Sequence, residues 1–283
     1  LKNLILALLL IAVSGSLFGQ VKKTKTETGI PFPNDNIQAI LFIGKTLDNL
    51  DVWPQYQYQG AHMKLRQEMR NGKMQVGASG IFIFSNVEDK KVSIKDKRFG
   101  AGLSMALSSS KSWTDIDIQY QRLERTMDID GGKIALEERI NFIDFSTIID
   151  LRRKFVNNFS LSGWKIYAEY IYPLNGQRLY MKGPIGKKEA VTNIKSLYLK
   201  VEPTWYNKQL NDDLALTSFF VIGYDHQSWN RSDNYTLGAG IRLYAKDVEF
   251  INIFATNRFR PHSSEGEPSL NGSINFIPLF KLL

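Results

Sequence analysis

The feature that most constrains this chain is a period-two alternation of polar and apolar side chains, with charges inside the alternating segments. From Trp113 to Leu123, Asp115, Asp117, Gln119 and Gln121 fall on one face, while Ile116, Ile118 and Tyr120 fall on the other. From Leu161 to Tyr172, Trp164, Ile166, Ala168, Tyr170 and Tyr172 share a face opposite Lys165, Tyr167, Glu169 and Ile171. Successive side chains of an extended strand point to opposite sides, so each segment reads as a strand with one wet and one apolar face. After the N-terminal segment no apolar run approaches the roughly 20 residues that a membrane helix needs.

Turn residues divide the chain into twelve expected strands: 37–45, 53–69, 73–84, 98–107, 113–123, 134–150, 160–172, 194–206, 215–224, 236–245, 248–258 and 269–279. Segment 134–150 is ambiguous. Glu137, Glu138 and Arg139 favour helix, the Ile, Phe and Thr residues from Ile140 to Ile149 favour strand, and the strand number ranges from ten to fourteen accordingly. The connections alternate. One set (46–52, 85–97, 124–133, 173–193, 225–235 and 259–268) is mostly longer than the other (Arg70 to Gly72, Ser108 to Ser112, 151–159, 207–214 and Lys246-Asp247). The two-residue link at Lys246-Asp247 makes its flanking strands a hairpin.

Residues 1–20 read as a signal peptide: Lys2, then the uncharged run Leu4 to Val13, then a small and polar exit ending near Gly19 or Gln20. Residues 21–36, rich in Lys, Thr and Pro, read as a short periplasmic lead, and 37–283 as one unit. The chain of 283 residues has no Cys, which excludes thiol catalysis and cysteine-held metal or iron-sulfur centres. Its formal charge of +8 raises nucleic-acid binding, but export and the lack of a concentrated basic helix speak against it.

Two architectures fit alternating strands: a soluble β-sandwich and a closed antiparallel transmembrane barrel. Aromatic residues gather near segment ends (Trp53, Tyr56 and Tyr58; Trp113; Trp164, Tyr170 and Tyr172; Trp205 and Tyr206; Phe276 and Phe280), where membrane-interface girdles sit. Small residues recur within strands at 77–80, 100–102 and 238–240, leaving lumen space for long neighbours. In hydrocarbon a sheet must close, because an open edge strands its N–H and C=O groups. The expected fold is therefore all-β, a closed transmembrane barrel of about twelve strands.

With these residues the chain resembles the bacterial outer-membrane β-barrel proteins as a class, from the signal segment Lys2 to Gln20 through the repeated strands Ile37 to Phe280. The resemblance implies the outer membrane of a Gram-negative-type bacterium after signal cleavage, contact with its lipids and insertion by the barrel-assembly machinery. It implies no particular activity, since the class contains passive channels, lipid hydrolases and export components.

Charges within strands are the candidate lumen lining: Lys64, Arg66, Glu68, Asp115, Asp117, Lys165, Glu169, Lys200 and Arg242, with Lys73, Arg98, Arg122, Lys195 and Glu202 beside them. A basic wall would favour anions, so the leading expectation is a channel for small polar or anionic solutes, without covalent chemistry. One rival is a structural or surface-interaction barrel without an open pore, using 85–97 and 173–193. Another is a lipid hydrolase. His226-Gln-Ser228 resembles the His-x-Ser arrangement of outer-membrane phospholipases and lipid A deacylases, in which the imidazole activates the serine. Trp229-Asn230 departs from that pattern, and Asp225, Asp233 and Asn234 sit in loop sequence, so no orienting third group stands on the next strand. Asp48, Asp51 and Asp130 suggest at most weak calcium binding, His62 and His262 are isolated, and no cofactor or metal site is expected.

Overall fold

The computed structural model describes residues 37–46, 55–69, 73–88, 92–109, 111–154, 160–183, 186–191, 195–227, 232–245, 248–259 and 266–276. The signal and lead segments at 1–36, the turns at Arg70 to Gly72 and Lys246-Asp247, and Trp53, Asp48, Asp51, Ser228, His262, Pro278 and Phe280 lie outside them. Thirteen strands follow in order: β1 Ile37–Thr46, β2 Gln55–Met69, β3 Met74–Glu88, β4 Val92–Ser108, β5 Ser112–Ile129, β6 Ile134–Lys154, β7 Ser160–Lys182, β8 Lys188–Ala190, β9 Ser196–Gln209, β10 Leu214–Gln227, β11 Ser232–Ala245, β12 Val248–Phe259 and β13 Gly266–Asn275. Each expected strand is found, most of them longer at their ends. The ambiguous segment 134–150 is one continuous strand of 21 residues, because alternation and pairing on both edges override the local helix preference of Glu137 to Arg139.

Twelve strands close. Each pairs antiparallel with its neighbours, β9 standing next to β7, and β1 meets β13 with Ile40 opposite Asn275 and Thr46 opposite Ser269. The sheet therefore has no free edge around the barrel. β8 is the thirteenth strand. β9 leaves β7 after Ile171 opposite Ser196, and β8 takes over the exposed edge higher up, with Gln177 opposite Ala190.

The barrel is inverted relative to a soluble core. Its lumen holds buried Arg242, Glu202, Asp150 and Gln121, all at 0% exposure, whereas Leu103 and Leu65 on its outer surface are 69% and 62% exposed. Ile222, Leu237, Ile241, Ile253 and Phe220 continue this outer apolar belt. In water so large an apolar surface would be costly; in a bilayer it faces hydrocarbon. The alternation read at 113–123 and 161–172 is the observed one, with Asp115, Asp117, Gln119, Gln121 and Lys165 inside and Ile118, Tyr120, Trp164, Tyr170 and Tyr172 outside.

Several expectations need correction. Tyr58 and Trp113 are not girdle residues: Tyr58 donates a hydrogen bond to Asn271 over the inner face of the intervening β1, and Trp113 is buried on the inward face of β5. Trp164, Tyr170, Tyr172, Trp205 and Tyr206 do face outward, and Trp205 stacks on Phe220. The connections expected at 85–97 and 173–193 are largely strand, since β3, β4 and β7 run on into them. The 124–133 loop shrinks to a tight turn in which Asp130, Gly131 and Gly132 take positive φ; Asp130 there pairs with Lys133 at 2.9 Å, so it acts as a turn residue.

Candidate functional site

The lumen is crossed by two groups of ion pairs. In the first, Lys64 Nζ on β2 lies 2.7 Å from Asp115 and 2.6 Å from Asp117 on β5. Arg66 bonds Asp115 and donates to Ser104 Oγ at 2.6 and 2.8 Å. Inward glycines make this possible: Gly77 sits opposite both Arg66 and Ser104, and a Cβ built at Gly100 would meet the Gln121 side chain at 2.4 Å. The chain of contacts continues as Gln119 donates to Ser79 and Gln121 donates to Gln119 and Asp144. Arg98 then joins Asp144 at 2.6 Å and Glu169 on β7 at 3.0 Å. His62 belongs to this group, its Nε2 at 3.9 Å from Asp117.

The second group occupies the opposite wall. Glu202 pairs with Arg242 and lies 2.7 Å from Lys200 Nζ. Arg242 stacks its guanidinium 3.6 Å above the Phe219 ring, and Lys200 sits 3.9 Å above that of Tyr167. Lys165 pairs with Glu249. These two residues come from β7 and β12, which stand four places apart in the sheet order, so their side chains meet across the interior. Glu249 turns inward through a bulge: Leu243 opposes Ile251 while Tyr244 opposes Glu249, leaving Phe250 as the extra residue. A cavity of about 280 Å³ remains beside these pairs, bordered by His62, Lys64, Trp113, Lys165, Tyr167 and Lys200 among others.

The candidate lining thus faces inward at Lys64, Arg66, Asp115, Asp117, Lys165, Glu169, Lys200 and Arg242, and each cation there contacts a carboxylate, Lys200 and Arg242 sharing Glu202. The side chain of Glu68 is outside the described residues. Arg122 is a correction: it points outward and pairs with Glu124 at 2.9 Å, while Lys73 and Lys195 are exposed near strand ends. Sequence reading missed Glu249 because the bulge reverses its side. It missed Asp144 because the strand that carries it was in doubt, although the alternation of that strand places Asp144 inward.

At the rim another expectation changes. Asp233 is not in a loop: β11 begins at Ser232, and Asp233 stands directly opposite His226 on β10. His226 Nδ1 and Tyr224 Oη lie 2.7 and 2.8 Å from the same Asp233 oxygen. Tyr235 and Leu237, on the Asp233 face of β11, are exposed on the lipid side, so the dyad also faces outward.

Two solved structures share this architecture. The β domain of the Bordetella autotransporter BrkA superposes with a TM-score of 0.53 at 13% identity, over 85% of this chain and 98% of that one. The translocator domain of the autotransporter NalP from Neisseria meningitidis gives 0.51 at 9% identity, over 97% and 94%. The protein has the fold of an outer-membrane β-barrel. At these identities the likeness is one of fold, and no family model and no curated protein matches the sequence. For such a barrel the exposed apolar belt is the lipid contact.

Proposed function

We propose that this outer-membrane barrel works with its lumen closed by ion pairs, and offers its outer face and loop-end strands as working surfaces rather than a passage for solutes. The Lys165–Glu249 pair across the interior carries this reading. The two groups taken together also set six cations (Lys64, Arg66, Arg98, Lys165, Lys200 and Arg242) against six carboxylates (Asp115, Asp117, Asp144, Glu169, Glu202 and Glu249), which speaks against the anion preference expected from the +8 charge. Export under the 1–20 segment and insertion by the assembly machinery belong to the same proposal. The test is planar-bilayer recording of folded protein. The expected record is silent, and steady unitary currents would overturn the reading in favour of the small-solute channel.

A second reading, lipid hydrolysis, is favoured by the His226–Asp233 hydrogen bond on the outer face. Asp233 supplies the orienting group that the motif lacked in sequence, leaving His226 Nε2 to take a proton from a hydroxyl. Ser228 would be that nucleophile, attacking an ester carbonyl. Phospholipid and lipid A turnover should be lost in Ser228→Ala and His226→Ala; turnover unchanged in Ser228→Ala, or none in the unaltered protein, would end it.

A further inference from the structure

Beside the ion pairs the lumen keeps two cavities, and one residue stands between them. The upper cavity, of about 680 Å³, is walled by the inward side chains of Tyr58, Ser85, Asp96, Arg125 and Glu138, which form one row across β2 to β6. Arg125 donates to both Asp96 oxygens at 2.8 and 2.9 Å, and Arg178 holds Glu138 at 2.6 Å, so this wall is fixed and its charges are paired. The lower cavity, of about 280 Å³, runs from Tyr58 past His62 and Lys64 to Trp113 and Asn275. Trp113 is the second residue of β5 and Asn275 the last of β13, so this cavity reaches one end of the barrel. The upper cavity borders Lys95, Thr126 and Glu137, near the opposite ends of β4, β5 and β6. Among the described residues Tyr58 alone borders both.

The register explains how Tyr58 comes to lie there. Tyr58, Gly44 and Asn271 stand in one row across β2, β1 and β13. Gly44 has no side chain, so the inner face of β1 is open at that row, and the tyrosine crosses it to donate to Asn271 Oδ1 at 2.8 Å. Tyrosine and asparagine together bridge two strand spacings, about 10 Å. Asn271 is itself oriented, because its amide donates to Thr256 and Ser269 at 3.3 and 3.2 Å. The Phe42 ring packs 6.1 Å from that of Tyr58 and lies over Gly60, where a Cβ would meet it at 2.6 Å. The tyrosine is thus held at its hydroxyl and against its ring. Both partners of the Tyr58–Asn271 bond are neutral, which makes it weaker than the charged pairs around it.

We propose that Tyr58 is a gate: on Asn271 it bars a path along the β1, β2 and β13 wall, and displaced from Asn271 it joins the two cavities into a conduit for small inorganic ions. The proposal rests on the closed-lumen reading, since it names the residue at which such a lumen is shut. The test is planar-bilayer recording in potassium chloride of the unaltered protein, Tyr58→Ala and the outward-facing control Tyr235→Ala. Each is first checked for the heat-dependent gel shift of a folded barrel. The unaltered protein and Tyr235→Ala should be silent, and Tyr58→Ala should give steady unitary currents. Tyr58→Phe keeps the ring and loses only the hydroxyl, so it should open in brief bursts, and it decides the matter if Tyr58→Ala does not fold. The chain has no Cys, so in Tyr58→Cys a charged thiol reagent attaches at that one position and should block the current. A folded Tyr58→Ala without current overturns the gate and leaves the closed lumen standing. So does a silent Tyr58→Phe where the alanine variant fails to fold, or a Tyr235→Ala current equal to that of Tyr58→Ala. Steady currents in the unaltered protein overturn the gate and the closed lumen together.

Discussion

Replacing Glu202 with Ala tests whether the lumen is held by its charges. Glu202 and Arg242 are each at 0% exposure, and Lys200 lies 2.7 Å from the same carboxylate. Removing one partner of a buried pair typically costs about 3–5 kcal/mol, because the remaining charge stays desolvated. Arg242 would keep Glu249 at 3.5 Å and the face of Phe219, and Lys200 would keep the Tyr167 ring, which places the loss at the lower end. A loss of about 3 kcal/mol corresponds to roughly a hundredfold change in the unfolding equilibrium. Urea unfolding of the barrel in lipid vesicles, followed by tryptophan fluorescence, measures it directly. The double replacement Glu202→Leu with Arg242→Met should recover most of the loss, since it removes both charges and leaves apolar volume. Stability of Glu202→Ala within about 0.5 kcal/mol of the unaltered protein, the range of ordinary surface substitutions, would refute the reasoning.

Other outcomes follow from the same geometry. Leu103→Arg, on the lipid face, should cost about 2–4 kcal/mol in bilayers if it sits near the midplane, measured by vesicle unfolding; no cost would place that face in water. Ser104→Ala, one residue on and inside, should cost about 1.5–3 kcal/mol in the same assay by removing an acceptor from the buried Arg66 guanidinium. Gly100→Leu should lower the urea midpoint by displacing Gln121 and with it the hydrogen bonds to Gln119 and Asp144, whereas Ala101→Leu, facing outward, should be nearly silent.

Alternation made the barrel legible from sequence. Asp115, Asp117, Lys165 and Trp164 were assigned to sides that the structure reproduces, because a strand with period two has only two faces. What alternation lacks is distance around the wall. Lys165 and Glu249 are 84 residues apart and four strands distant, so only closure brings them together. A bulge is equally invisible, and one extra residue at Phe250 turns Glu249 inward. Asp233 shows the same limit at the rim: its loop-like neighbours hid a cross-strand pairing with His226.

The sequence by itself therefore determined an all-β chain of about twelve strands and the residues of each face, since those depend on local stereochemistry and the lack of long apolar runs. Only the tertiary structure decided which inward charges meet one another. Their pairing depends on ring closure, strand register and bulges, which set the distance between side chains far apart along the chain.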